Sequence, residues 1–227
     1  MKKPGWIILI SAMLLAVPTV SAGDAELTIG LIGDSTVATK YGWGPAFANH
    51  FNDKAKVLNY AKNGATLESL SDRLDELAAL NPDYVLIQFG HNDQKKYDTE
   101  VYREKLKSYI DRVRHAGGKP ILLSSVTRRF FDENGKIVPR EDGVLSNLTY
   151  YAQAVKTLAK EEKLPFIDLY TISVAHHNDI GPGPSAAYNY HETDTTHFSP
   201  EGADAIASLI LTELLRVVPE FAGYMKQ

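Results

Sequence analysis

What most limits the folds open to this chain is a change of hydrophobic period that recurs along it. Five short apolar runs, Leu27–Ile32, Val57–Tyr60, Tyr84–Phe89, Pro120–Val126 and Pro165–Leu169, are each bounded by Gly, Pro, Asn or Asp, the boundary signals of strands. Most lack strict alternation, which suits strands buried on both faces. Between them the apolar spacing changes to three and four. Thr66–Leu80 carries Leu67, Leu70, Leu74 and Leu77, and Thr99–Ala116 carries Tyr102, Leu106, Tyr109, Ile110 and Val113. Ser146–Glu162 and Ala203–Val217 repeat the pattern with Leu148, Tyr151, Val155 and Leu158, then Ile206, Leu209, Ile210 and Leu214. These are the faces of amphipathic helices. Gly117-Gly118 closes the second, and Ser199-Pro200-Glu201 opens the last with a cap, a proline and a first-turn acid. The β-α repetition predicts one α/β domain with a parallel sheet and helices on both faces.

Two stretches break the repetition. Thr127–Leu145 is polar and arginine-bearing, with an Asp132-Glu133-Asn134-Gly135 turn, and Tyr170–Thr196 is rich in Gly, Pro and His. Both are expected to be long loops, which in a compact domain are commonly functional.

The first segment is expected to lie outside the domain. Lys2 and Lys3 precede an apolar run from Trp6 to Val17, too short to span a bilayer comfortably, and Val20-Ser21-Ala22 is a small-residue cleavage site. This predicts a bacterial secretory signal peptide over residues 1–22 and a periplasmic or secreted domain over 23–227. Its removal takes two lysines and no acids from a chain of 24 basic and 28 acidic residues, leaving a formal charge of −6. That balance argues against nucleic acid as a partner, and no membrane partner is expected after cleavage. With no cysteine in the chain, thiolate nucleophiles and cysteine zinc sites are excluded.

Chemistry gathers where the strands end. Gly33-Asp34-Ser35 follows the first run, Asn63-Gly64 the second, and Gly90-His91-Asn92-Asp93 the third; Asp194-Thr195-Thr196-His197 precedes the last helix. Loops after parallel strands share one edge of the sheet, where such folds bind ligands. Acyl transfer needs these residue types. A serine hydroxyl requires a base, and the base requires an acid to hold its tautomer. Asp194 and His197, three apart, can meet within one turn. The oxyanion needs donors, and the backbone N–H groups of Ser35 and Gly64 and the side-chain amide of Asn92 suit that task.

The four blocks, in this order, resemble the SGNH (GDSL-like) hydrolase family. The resemblance implies a flavodoxin-like three-layer α/β/α fold with a five-stranded parallel sheet. It also implies Ser35 as nucleophile, Asp194 and His197 as triad partners, and Ser35, Gly64 and Asn92 as the oxyanion hole. Gly33–Ala38, Gly42-Trp43-Gly44, Val85–Lys95, Val126-Thr127-Arg128-Arg129 and Thr196–Ser199 further resemble rhamnogalacturonan acetylesterases. That implies a serine esterase acting on an acetylated polysaccharide of the plant cell wall. Such enzymes often have Gly-Arg-Ser in the second block, whereas this chain has Gly64-Ala65-Thr66.

Candidate substrate-binding residues follow from the same expectation. Trp43 is placed either to stack on a sugar ring or to pack in the core, and His91 either to contact substrate or to orient a loop. Arg128, Arg129 and Arg140, with Lys95 and Lys96, would form a positive patch for an anionic polymer. The rival of a zinc site built from His91, Asp93, His176, His177, His191 and His197 fits no His-Glu-x-x-His spacing; no metal and no cofactor is expected. A non-catalytic glycan-binding protein would have no use for serine, oxyanion donors and an Asp/His pair together. Xylan acetyl groups or a broader range of carbohydrate or lipid esters remain the alternatives within the esterase class.

Overall fold

The computed structural model describes residues 27–139 and 147–226; the predicted signal peptide and Arg140 lie outside them. Five strands, β1 (Leu27–Gly33), β2 (Ala55–Asn59), β3 (Tyr84–Gln88), β4 (Lys119–Leu123) and β5 (Phe166–Ile167), form one parallel sheet in the order β2-β1-β3-β4-β5. Every neighbouring pair is parallel, and the register sets Ile29 beside Val57 on one side and Tyr84 on the other. This is the doubly wound order in which the chain leaves β1 in one direction and returns to its other side as β3. Ligand sites lie at the carboxyl edge where that reversal occurs.

Helices cover both faces. On one, α1 (Gly44–Asn49), α5 (Leu169–Ile180) and α7 (Pro200–Val217) cover Ile29, Leu31, Leu86 and Ile121; Phe47, Leu169, Ile206, Ile210 and Leu214 fill that layer. On the other, α2 (Ser71–Ala78), α3 (Thr99–His115) and α4 (Leu148–Glu161) cover Ile32, Val85, Ile87 and Leu122 through Leu74, Leu77, Leu106, Ile110 and Val155. Alternate residues of β1 and β3 thus enter opposite cores, as the pleat requires. Each fully buried Leu, Ile or Phe contributes about 1.5–3 kcal/mol. The three-layer arrangement expected from the sequence is the one observed.

Local differences have local causes. α2 starts at Ser71 rather than near Thr66, because Thr66 and Ser69 bond each other's backbone amides through their side chains and the Leu67 N–H goes to Asp93 Oδ1. Residues expected as loop after Tyr170 are largely helical. Asp168 caps α5, and a short α6 (Pro182–Ala186) follows it. The signal was concealed because the buried face of α5 is Leu169, Ser173 and His177, correctly spaced but mostly polar. His177 Nδ1 meets Ser185 Oγ of α6 at 2.9 Å. No helix among the described residues is long and apolar enough to cross a membrane.

Candidate active site

β1 ends at Gly33, where an added Cβ would fall inside contact distance of the Gln88 carbonyl and the Val37 side chain. Glycine is needed here for close approach of two strands. The chain then turns tightly. The Asp34 carboxylate accepts from Thr36 N–H at 2.9 Å and Thr36 Oγ at 2.7 Å, and the Asp34 carbonyl accepts from Val37 and Ala38. Gln88 at the end of β3 donates to Thr36 Oγ, and Trp43 Nε1 donates to Gln88 Oε1 at 3.0 Å. Asp34 is therefore a turn brace, fully buried, and burial raises its pKa despite the Thr36 donors. The braced residue between Asp34 and Thr36 is Ser35, 7% exposed at the carboxyl edge of the sheet.

The Asp194–His197 segment meets it from the far end of the chain. Asp194 Oδ1 accepts from the backbone N–H groups of Thr196 and His197, each at 3.0 Å, while Oδ2 lies 2.8 Å from His197 Nδ1. His197 Nε2 lies 2.8 Å from Ser35 Oγ. Burial raises the pKa of Asp194, but the His197 and Thr196 donors outweigh it and hold the carboxyl below its ordinary value. An ionised Asp194 accepts the Nδ1 proton, so Nε2 presents a lone pair to the serine hydroxyl. The Tyr41 ring stands 5.2 Å from the imidazole, with Tyr190 set edge-on to Tyr41.

The second and third blocks are joined to one another. Lys62 N–H donates to the Gly33 carbonyl, which carries the loop after β2 alongside the end of β1. Asn92 Nδ2 donates to the Ala65 carbonyl at 3.0 Å, leaving its second N–H for another acceptor. Gly64 has φ +73°, and nothing lies within 4 Å of where a Cβ would stand. Its glycine thus serves a left-handed backbone beside open space. Ala65, where an arginine was the expected comparison, is buried in the second core. Beneath the loops Asp93 is fully buried, and burial pushes its pKa up to about 7, with the nearby Asp34 charge adding to the shift.

The residues expected to touch substrate are placed otherwise. Trp43 is fully buried between α1 and the sheet, so it presents no stacking face; its indole packs in the core and its N–H braces Gln88. His91 is buried too. Its Nε2 pairs with the Val126 carbonyl at 3.0 Å, and burial together with the Arg128 charge holds its pKa well below the ordinary value. It orients the loop after β4. Arg128 and Arg129 are both buried, and Arg129 grips backbone carbonyls of the Asp194–His197 segment, so the expected arginine patch does not form from them. Burial could not be read from these side chains alone, because arginine is ordinarily solvated. Among the described residues no group of three or more His, Asp or Glu side chains is arranged to hold a metal ion. The Gln88–Thr36 bond and the anchoring role of Arg129 were not legible; no spacing rule links residues 52 or 68 positions apart in the chain.

Comparison with known proteins bears on the family and the fold. Residues 31–205 match the family described as GDSL-like Lipase/Acylhydrolase. Rhamnogalacturonan acetylesterase RhgT of Bacillus subtilis is 37% identical over 210 residues, covering 81% of this chain and 88% of its own. A probable rhamnogalacturonan acetylesterase, YesY, from the same organism is 32% identical over 83% of this chain and 88% of its own. Among solved structures, Bacillus subtilis YxiM superposes with a TM-score of 0.74 at 28% identity, covering 88% of this chain; this chain spans 58% of that one. An acetylxylan esterase from Geobacillus stearothermophilus gives a TM-score of 0.62 at 20% identity, over 85% of this chain and 94% of its own, a likeness of fold.

Proposed function

Since the chain belongs to the GDSL-like lipase/acylhydrolase family and is a carboxylic ester hydrolase, we propose that it removes O-acetyl groups from a plant cell-wall polysaccharide, pectic rhamnogalacturonan first among them. The observation that carries the mechanism is the line from Asp194 through His197 to Ser35, with both contacts at 2.8 Å. Ser35 Oγ attacks the acetyl carbonyl carbon while its proton passes to His197 Nε2. The tetrahedral oxyanion is held by the N–H groups of Ser35 and Gly64 and the free N–H of Asn92. The bond to the sugar oxygen breaks as that oxygen takes the proton from His197. Water then attacks acetyl-Ser35 with His197 again as base, releasing acetate.

The pectic preference is supported by the two relatives named rhamnogalacturonan acetylesterases. It is supported also by charge, though from lysines rather than arginines. Lys40, Lys62, Lys95 and Lys96 are exposed on the three loops that follow β1, β2 and β3. None of the four has a carboxylate within ion-pair distance among the described residues. A chain of net negative charge thus turns cations toward the edge that carries Ser35, as a polymer of carboxylates requires. Export by residues 1–22 belongs to the same reading, and a mature N-terminus at Gly23 is its check.

The test is acetate release from acetylated rhamnogalacturonan, homogalacturonan, xylan and a long-chain ester, with wild type and Ser35→Ala. We expect rhamnogalacturonan to be the best substrate and Ser35→Ala to lose on the order of 10⁶ in rate. Undiminished release by a folded Ser35→Ala would end the covalent mechanism. Preference for xylan would end the pectic assignment and leave the chemistry standing.

A further inference from the structure

The segment bearing Asp194 and His197 lies outside every helix and strand, yet His197 is held within hydrogen-bond reach of Ser35. Arg129, in the stretch after β4, holds it. The Arg129 backbone N–H donates to the Thr195 carbonyl at 2.9 Å. Its Nε donates to Asn189 Oδ1 at 2.6 Å, and Nη2 donates to the carbonyls of Asp194 at 3.2 Å and His197 at 2.5 Å. The guanidinium also lies over the Phe198 ring, 4.9 Å from its centroid. One planar group therefore bonds both residues of the Asp/His pair and Asn189 before them, and lies over Phe198 after them.

A second feature is electrostatic. Buried arginines ordinarily meet a carboxylate. The three side-chain acceptors of Arg129 are all neutral oxygens, and Nη1 is buried without a hydrogen-bond partner among the described residues. Its charge is not cancelled at contact. Burial pulls its pKa down to about 10, with the Asp194 charge acting in the opposite direction, so it is a cation at neutral pH. The other groups facing the imidazole are Ser35 and Asp34 from the turn after β1, the Tyr41 ring, His91 from the loop after β3, and Asp194 with His191 behind it.

We infer that Arg129 is a positioning residue: its fork fixes the Asp194–His197 segment against Ser35. This rests on the Ser35–His197–Asp194 assignment above. Two variants test this. Arg129→Gln removes fork and charge, and Arg129→Lys keeps charge without the fork. Each is assayed for kcat and KM on a small neutral acetate ester.

Both Arg129 variants should lose roughly 10- to 100-fold in kcat, as loss of alignment does, with KM within about twofold. Undiminished kcat in folded Arg129→Gln and Arg129→Lys would overturn the positioning role. Should Arg129→Gln fail to fold, Arg129→Lys decides. Failure of the underlying assignment reads differently, as full activity in Ser35→Ala.

Discussion

Replacing Asp93 by Asn should make stability at high pH rise and stability at low pH fall, so that the curves of variant and wild type cross. The Asp93 carboxyl is fully buried; Oδ1 accepts from Leu67 N–H at 2.9 Å, and Oδ2 has no hydrogen-bond partner among the described residues. In the unfolded chain the group loses its proton near 3.8, and in the folded protein near 7. Between those values the folded state binds the extra proton, so stability falls as pH rises through the window. About three units at about 1.4 kcal/mol each give about 4 kcal/mol of destabilisation above pH 7. Asn carries no charge and can still accept from Leu67, but its NH2 group would be left unpartnered at about 1–3 kcal/mol. The variant should therefore be less stable than wild type by about 1–3 kcal/mol near pH 4 and more stable by a similar amount at pH 8. Urea unfolding at steps from pH 4 to 8.5 measures the difference. The difference curve is needed because His91 and His177, held by burial below their ordinary value, act in the opposite sense: stability they contribute above pH 6.5 is lost as pH falls. A difference that stays constant from pH 4 to 8 would refute the reasoning.

Two further outcomes test other parts of the site. Asn92→Ala removes the amide offered to the oxyanion together with its bond to the Ala65 carbonyl; kcat on a small acetate ester should drop about 10²–10³, and a drop of less than about fivefold would remove Asn92 from the oxyanion hole. Gly33→Ala places a methyl against the Gln88 carbonyl where β1 and β3 pair; it should cost about 1–3 kcal/mol, read as a fall in thermal midpoint of about 2–12 °C, and an unchanged midpoint would show that the strands can separate there freely.

Much of the molecule was determined within short stretches of chain. The strands and the helices α3, α4 and α7 follow from spacing and caps, as with Asn147 and Ser199, whose side chains accept from Thr149 and Gly202. Gly33-Asp34-Ser35 forms its brace from neighbours two residues apart, and Asp194 reaches His197 across three. Such contacts are local, so residue type and spacing are enough to predict them.

Tertiary structure alone decided which polar side chains are inside. Trp43, His91 and Arg129 have the chemistry of substrate contacts, and each is buried by elements distant in sequence. Trp43 meets Gln88, His91 meets Val126, and Arg129 meets His197, at separations of 45, 35 and 68 residues. α5 was concealed for the related reason that its inward face is completed by Ser185 from α6 rather than by an apolar surface. A side chain's type states what it can bond; only the folded chain supplies the bonding partner and removes the water that would otherwise take its place.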